Sequence, residues 1–324
     1  MNILSNSGND VLVFLPCLNE GLSISATIKS ILTILPAAEI LVIDNGSTDN
    51  AVSEALRCGV SVIHEPRRGK GFAVGAGIER IRKSTRAVFM VDADDTYGLE
   101  NLGLAIDQVV SKGYDMVVGN RNLDTLYINH RGEAFRKGHR FGNRLFTWLA
   151  RLLYPAGIKD TLSGWRVMSP KFLMSFPGGL SGFEIESELN AHAHLMGSPV
   201  MNVDVSYRGR PKGSISKLNT YRDGIRILLM AFRTFRSDRP QLAFGIFSSP
   251  WLIFSIYFNY RAISGYIETG LVPQFPSLMA GVGAFLVFSL LLIAGVILER
   301  IKQLRVNTAR YVYRSLGNLD LEKP

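Results

Sequence analysis

The sequence predicts an α/β domain built on a parallel sheet and followed by a membrane hairpin, and three features carry that prediction. From Val11 to about Val118, short β-branched runs alternate with helical segments, the pattern of strands joined by crossover helices. Hydrophobic residues make up 47 % of the 324 and charged ones 19 %, with the apolar excess collected after residue 240. The basic residues behind the net charge of +9 cluster beside those apolar stretches, which suits anionic lipid or a phosphorylated substrate. No aromatic-interleaved basic face is present, so nucleic acid is not expected as a partner.

Taken in order, "VLVFLP" reads as the first strand, "GLSISATIKSILTIL" as a helix and "EILVID" as the second strand. "AVSEALRCG", "VSVIHE", "GKGFAVGAGIERIRKS", "AVFMVDAD", "ENLGLAIDQVVSKG" and "DMVVGN" continue the alternation. Ligands of such sheets bind beyond the carboxyl ends of the strands, where Pro16, Asp44, Asp92 and Gly119 fall. Within the third helical stretch, "GKGFAVGAG" lacks the G-K-[ST] ending of a Walker loop and reads as a flexible basic loop ahead of a helix. Lys70 there either touches phosphate or belongs to an ordinary turn. Residues 120 to 215 are less regular, and "GGLSGFEIESELNAHAHL" is the clearest helix among them. Cys17 and Cys58 sit in apolar contexts without metal or redox spacing and read as reduced core thiols. "MNILSNSGND" has neither a basic nor an apolar leader region, which places the first domain, residues 1–218, in the cytoplasm.

From Asn219 to Arg236, Ile225, Leu228, Leu229, Phe232 and Phe235 follow helical spacing opposite Arg222, Arg226, Arg233 and Arg236. That is the pattern of an interfacial helix, expected over 219–239. Between Arg239 and Arg261 lie 21 uncharged residues, and between Glu268 and Glu299 lie 30. Each is long enough to cross a hydrocarbon core of about 30 Å, so 240–298 is expected to hold two transmembrane helices, about 241–261 and 277–298. Basic residues precede the first span and follow the second (Arg300, Lys302, Arg305, Arg310, Arg314), which puts the first domain and the 299–324 tail together on the cytoplasmic side. Gly281, Gly283 and Gly295 would let the hairpin pack against copies of itself as a homo-oligomer.

The chemistry concentrates in "VFMVDADDTYG", where four apolar residues run into Asp92, Asp94 and Asp95. Three readings fit these carboxylates: a turn with Asp95 or Thr96 capping a helix from near Leu99, an acid/base or nucleophile pair, or a site for a hard cation such as Mg²⁺ or Mn²⁺. Context favours the cation. "FLPCLNEG" ends the first strand with Asn19 and Glu20, and "VIDNGSTD" ends the second with Asp44, so three strand ends converge on one edge suited to a base, a ribose and a diphosphate.

Pro16, Asn19, Glu20, Asp44, Asp92-Ala93-Asp94, "GNR" at 119–121, "DTLSGWR" at 160–166 and "YRGRPKGSISK" at 207–217 together resemble glycosyltransferase family 2. The narrower likeness is to its polyprenyl-phosphate branch, the dolichyl-phosphate mannosyltransferases and bactoprenol glucosyltransferases, over roughly residues 10 to 235. The resemblance implies a GT-A (Rossmann-like) domain and an inverting, metal-dependent transfer of one sugar. The donor would be of the UDP-glucose or GDP-mannose type, and the acceptor undecaprenyl or dolichyl phosphate. By resemblance Pro16, Asn19, Glu20 and Asp44 hold the nucleoside, Asp92 the nucleotide or its sugar, and Asp94, with Asp92, the cation. Arg121 and Arg140 receive the acceptor phosphate, Asp160, Ser163 and Arg166 line the acceptor side, and Arg210 with Lys217 closes over the diphosphate. An arginine fork grips phosphate through two hydrogen bonds, which suits these roles.

Three departures from the family pattern stand out: Asn45 in place of a second Asp, Asp95 in place of an uncharged residue, and one extra residue in "RPKGSISK". An ionised phosphate acceptor needs no general base, whereas a hydroxyl acceptor would need a carboxylate such as Asp160. The alternatives are the same fold acting on another lipid or a polysaccharide, and a non-catalytic membrane module that binds a nucleotide sugar.

Overall fold

A computed structural model describes residues 10–121, 157–177, 185–208, 235–236, 239–272 and 274–321. The chain divides into two compact units, Met1–Leu218 with Ala309–Pro324, and Asn219–Thr308. Arg140, Arg210, Lys217 and nearly all of the expected interfacial helix lie outside the described residues.

In the first unit the expected alternation appears as β1 (Val11–Cys17), α1 (Ile24–Ile34), β2 (Glu39–Asp44), α2 (Ala51–Arg57), β3 (Ser61–His64), α3 (Lys70–Ile78), β4 (Ala87–Met90), α4 (Leu102–Val110) and β5 (Met116–Arg121). Then follow β6 (Arg166–Met168), α5 (Pro170–Ser175), α6 (Ile185–Met196) and β7 (Val200–Val205). The strands form one sheet in the order β3-β2-β1-β4-β6-β5-β7. It is mixed, not parallel as the alternation suggested: β6 runs antiparallel to both β4 and β5. The alternation signal reports only strands joined by helices, and β6 returns from the long segment after β5.

The apolar runs explain both faces. Along β1, Val11, Val13, Leu15 and Cys17 enter a core with Ile24, Ile28 and Ile31 of α1, while Leu12 and Phe14 enter the opposite core with Ala73 and Val74 of α3. Burial on both faces is why these strands read as continuous apolar runs. "GKGFAVGAG" proves to be α3 itself, not a loop ahead of a helix. Its glycines serve packing: a Cβ at Gly77 would press on Phe14 and Ile43, so glycine lets the helix settle on the sheet. Cys17 and Cys58 are both free, and burial pushes the Cys17 thiol up to about 12, which makes it inert at neutral pH.

His192 of α6 is buried between the rings of Phe172 and Phe176, 3.0 Å from the Ser175 hydroxyl. Burial lowers its pKa to about 4, outweighing a hydrogen bond at Phe172 and the charge of Asp115. The folded group is neutral and the unfolded one takes up a proton first, so stability is complete above about pH 6.5 and declines as pH falls toward 4. Denaturant titrations at pH 7 and pH 4 are expected to differ by about 3 kcal/mol from this residue alone. A His192→Leu variant should lose that increment; an unchanged difference would remove His192 as its source.

The second unit holds α7 (Pro240–Thr269) and most of α8 (Phe275–Leu321). At 30 and 47 residues they run about 45 Å and 70 Å, longer than a hydrocarbon core. Both are apolar enough to cross a membrane. The expected first span ends at Arg261 but α7 continues through Arg261 and Glu268, and α8 passes the expected boundary at 298 without a break. No proline interrupts residues 299–321, so the backbone gains an intrahelical bond at every step. Large side chains such as Ile253, Ile267 and Leu290 stand exposed, unlike those of a soluble core helix.

Candidate active site

β1 sends its chain to β2 on one side and is flanked by β4 on the other, so a crevice opens between their carboxyl ends. Hydrogen bonds bind the loops there into one platform. Ser23 Oγ donates to Ala93 O at 2.9 Å, joining the start of α1 to the acidic loop. Asn19 has a φ of 56°, a left-handed conformation that asparagine tolerates, and its Oδ1 accepts from the Thr48 backbone at 2.7 Å. Gly21 N donates to Asp49 Oδ2 at 2.8 Å across the same gap. Asn19 therefore shapes the loop pair beside the crevice, next to Glu20.

Asp44 is buried at the end of β2, where one oxygen accepts from Ser47 N at 2.9 Å and the other lies 2.8 Å from His64 Nδ1. Burial raises its pKa, but these bonds and one from Gly46 outweigh it and hold the carboxyl below the ordinary range. Its contribution to loop stability thus persists at neutral pH and disappears only as pH falls below about 4. The departure at Asn45 now has a structural reason. Its amide donates to Glu65 O and Arg67 O at 3.1 and 2.7 Å, and its Oδ1 accepts from Gly69 N at 2.7 Å. An aspartate could not donate those two bonds.

The acidic loop is bound to the segment after β7: Gly98 N donates to Ser206 O, Arg208 N to Thr96 O, and the rings of Tyr97 and Tyr207 meet edge to face at 5.0 Å. Asp94 is buried and accepts from the Thr96 hydroxyl at 2.5 Å. Asp95 is no helix cap: α4 begins at Leu102 with Asn101 as its N-cap, and Asp95 takes a left-handed φ of 55° that turns the chain. Burial raises its carboxyl pKa, partly offset by Arg208.

Asp92 meets Lys70, whose ammonium lies 2.5 Å from Asp92 Oδ1 and 2.5 Å from Glu186 Oε1. Burial works against the Lys70 charge, but the two carboxylates overcome it and raise the pKa well above the usual lysine range. Glu186 was not foreseen. "FEIESELN" shows it only as one acid among several on a helix, and the fold brings it to Lys70 from 116 residues away. Gly164 closes the other side of Asp92: a Cβ there would collide with its carboxylate. Gly164→Ala is therefore expected to displace Asp92 and lower kcat on the order of 10²-fold with the fold retained, since misplacement by about 1 Å has that effect. Steady-state kinetics beside circular dichroism would check it, and full activity would show that Asp92 need not be held there.

Arg121 and Asp160, both expected at the acceptor, form a two-pronged pair, Nε to Oδ2 at 2.6 Å and a terminal nitrogen to Oδ1 at 2.9 Å. The Tyr207 ring covers the guanidinium at 5.4 Å. Ser163 and Arg166, expected to line the acceptor side, are both fully buried. Arg166 donates to Ser163 O, Thr161 O and Asn190 Oδ1, which fixes the turn carrying Asp160. Burial lowers its pKa to about 10, still charged at neutral pH. Gly119 gives the Trp165 ring room to lie on β5, since a Cβ there would meet it at 2.9 Å. "GNR" and "DTLSGWR" thus pack against each other.

A mixed sheet of this order, with acidic groups at the crevice between β1 and β4, is the fold of a GT-A glycosyltransferase. The chain belongs to glycosyltransferase family 2, whose profile matches residues 12–172. It is 31 % identical over 208 residues to "Glycosyltransferase AglJ" of Haloferax volcanii, covering 64 % of this chain and 66 % of that protein. An uncharacterized glycosyltransferase of Mycobacterium tuberculosis is 31 % identical over 69 % of this chain and 96 % of its own length. A dolichyl-phosphate hexose transferase of H. volcanii is 29 % identical over 68 % of this chain and 91 % of its own. The fold also matches glucosyl-3-phosphoglycerate synthase of M. tuberculosis, solved with Mn²⁺ and UDP-glucose, at a TM-score of 0.51 and 21 % identity over 69 % of this chain and 79 % of that one. The chain is thus an enzyme that transfers a sugar from a nucleotide donor.

Proposed function

We propose that this enzyme moves one hexose, with inversion, from a nucleotide sugar to a polyprenyl phosphate at the cytoplasmic membrane face. The observation that carries the lipid acceptor is the pair of membrane-length helices whose large apolar side chains stand exposed. The likeness to a dolichyl-phosphate hexose transferase supports the same acceptor class. Residues 1–218 are the catalytic domain, 219–239 the interfacial helix, 240–298 the membrane part and 299–324 a cytoplasmic tail. Pro16, Glu20 and Asp44 face the nucleoside, while Arg140 takes the acceptor phosphate and Arg210 with Lys217 closes over the diphosphate.

No group of three or more potential metal ligands occurs among the described residues. A donor set of Asp94, with Asp92 beside it, nevertheless fits Mg²⁺ or Mn²⁺, which take one or two carboxylates and fill their other positions with phosphate oxygens and water. Such an ion would stabilise the charge developing on the departing diphosphate. Lys70 holds Asp92 in place, and Arg121 holds both oxygens of Asp160, a poor arrangement for removing a proton from a hydroxyl. That favours an acceptor already ionised at neutral pH. Incubation of the purified chain with labelled UDP-glucose, GDP-mannose and related donors, Mg²⁺ or Mn²⁺, and undecaprenyl or dolichyl phosphate should give a labelled lipid that mild acid cleaves. No transfer from any common donor, or an acid-stable product, would refute the reading.

A further inference from the structure

His64 ends β3 with its side chain 62 % exposed, beside an Asp44 side chain that is only 5 % exposed. The two residues are direct partners in the parallel register of β2 and β3. Both Asp44 oxygens are already engaged, one by Ser47 N at 2.9 Å and the other by His64 Nδ1 at 2.8 Å. A ligand at this edge therefore meets the imidazole before it meets the carboxylate. We propose that His64 reads the base of the nucleotide donor, its Nε2 accepting the ring N–H of uracil or guanine, so that the site favours uridine and guanosine diphosphates over cytidine and adenosine diphosphates. This assignment rests on the nucleotide-sugar reading above and names the residue through which Asp44 acts in it.

The carboxylate sets the tautomer. Asp44 is ionised at neutral pH and can only accept, so Nδ1 carries the proton of the neutral ring and Nε2 presents a lone pair. Among the described residues Nε2 has no hydrogen-bond partner. Uracil and guanine carry a ring N–H on their pairing edge, whereas the matching nitrogen of cytosine or adenine is itself an acceptor and would oppose Nε2. Position selects the base over the phosphates. The order β3-β2-β1-β4 puts His64 three strand spacings from the strand that delivers Asp92, about 14 Å. Asp92, with Lys70 beside it, marks the charged end of the edge, so a nucleoside diphosphate extended from there carries its base toward β3. The imidazole is also held still. Glu65 N donates to Asp44 O at 2.8 Å, and the Asn45 side chain bonds Glu65 O, Arg67 O and Gly69 N, which pins the chain after His64 to the end of β2. A fixed acceptor rejects a base that lacks the donor.

The test is calorimetric titration of the full chain in detergent with UDP, CDP, GDP and ADP in the presence of Mn²⁺, at about pH 8, where an ordinary histidine is neutral. Within the ring size that the pocket admits, UDP over CDP or GDP over ADP, the wild type is expected to prefer the N–H base about tenfold, the worth of one hydrogen bond. His64→Ala should erase that preference by weakening UDP or GDP about tenfold while leaving CDP or ADP unchanged. His64→Gln, whose amide oxygen still accepts, should keep part of it. A ratio of dissociation constants does not depend on any misfolded fraction, so a merely structural role for His64 would not move it. An unchanged ratio in His64→Ala would overturn the assignment, as would equal weakening of all four nucleotides, which would make His64 a support for the loop or a partner of the ribose. Either result leaves the nucleotide-sugar reading standing. Binding of no nucleoside diphosphate by the wild type would refute that reading and this assignment with it.

Discussion

Replacing Asp94 with asparagine is expected to lower kcat by about 10²- to 10³-fold while leaving the fold in place, the loss typical of removing one group that stabilises developing charge. The substitution separates charge from shape. Asp94 Oδ1 accepts from the Thr96 hydroxyl at 2.5 Å and from Thr96 N at 3.3 Å, and an asparagine oxygen can accept both. The turn should therefore survive and Tm should move little. What asparagine cannot supply is a negative charge for a divalent cation facing the diphosphate. Turnover measured across a Mg²⁺ or Mn²⁺ series, with thermal denaturation as the control for folding, decides the matter. Half or more of wild-type activity in the variant would take the metal role away from Asp94.

Lys70→Met is expected to destabilise the fold strongly. One ammonium, 12 % exposed, compensates two carboxylates, of which Glu186 is 7 % exposed and Asp92 33 %. Without it, the Glu186 carboxyl loses its ion pair in a site that water scarcely reaches. Breaking a buried pair from one side costs about 3–5 kcal/mol, or about 10 °C in Tm for a domain of this size. The double variant K70M/E186Q is expected to regain much of that loss, because the amide needs no counter-charge and Asp92 is open enough to be hydrated. Activity should stay low in both, since Asp92 loses the partner that orients it. If the two variants melt alike, loss of the Lys70–Glu186 pair is not what destabilises K70M.

Much of the fold was legible because its signals are local. Strand ends at Cys17, Asp44 and Met90 follow from β-branched runs meeting polar turns, and the acids after them mark the ligand edge. The membrane-length helices were legible for the same reason, as uninterrupted apolar length. Errors arose where a local motif had two uses. Glycines in "GKGFAVGAG" imitate a loop but serve helix-on-sheet packing, and Asp95 imitates a cap but turns the chain through positive φ.

By itself the sequence determined which chemistry is present: acids at strand ends, arginines in "GNR" and "DTLSGWR", and apolar spans after residue 240. Only the tertiary structure decided which charges meet. Lys70 finds Glu186 across 116 residues, Arg121 finds Asp160 across 39, and Arg166 turns inward to Asn190. It also decided the reversed direction of β6. The reason is physical: a turn, a cap or an apolar run is fixed by neighbours along the chain, whereas the partner of a buried charge is fixed by whichever distant group the packed sheet brings within hydrogen-bonding reach.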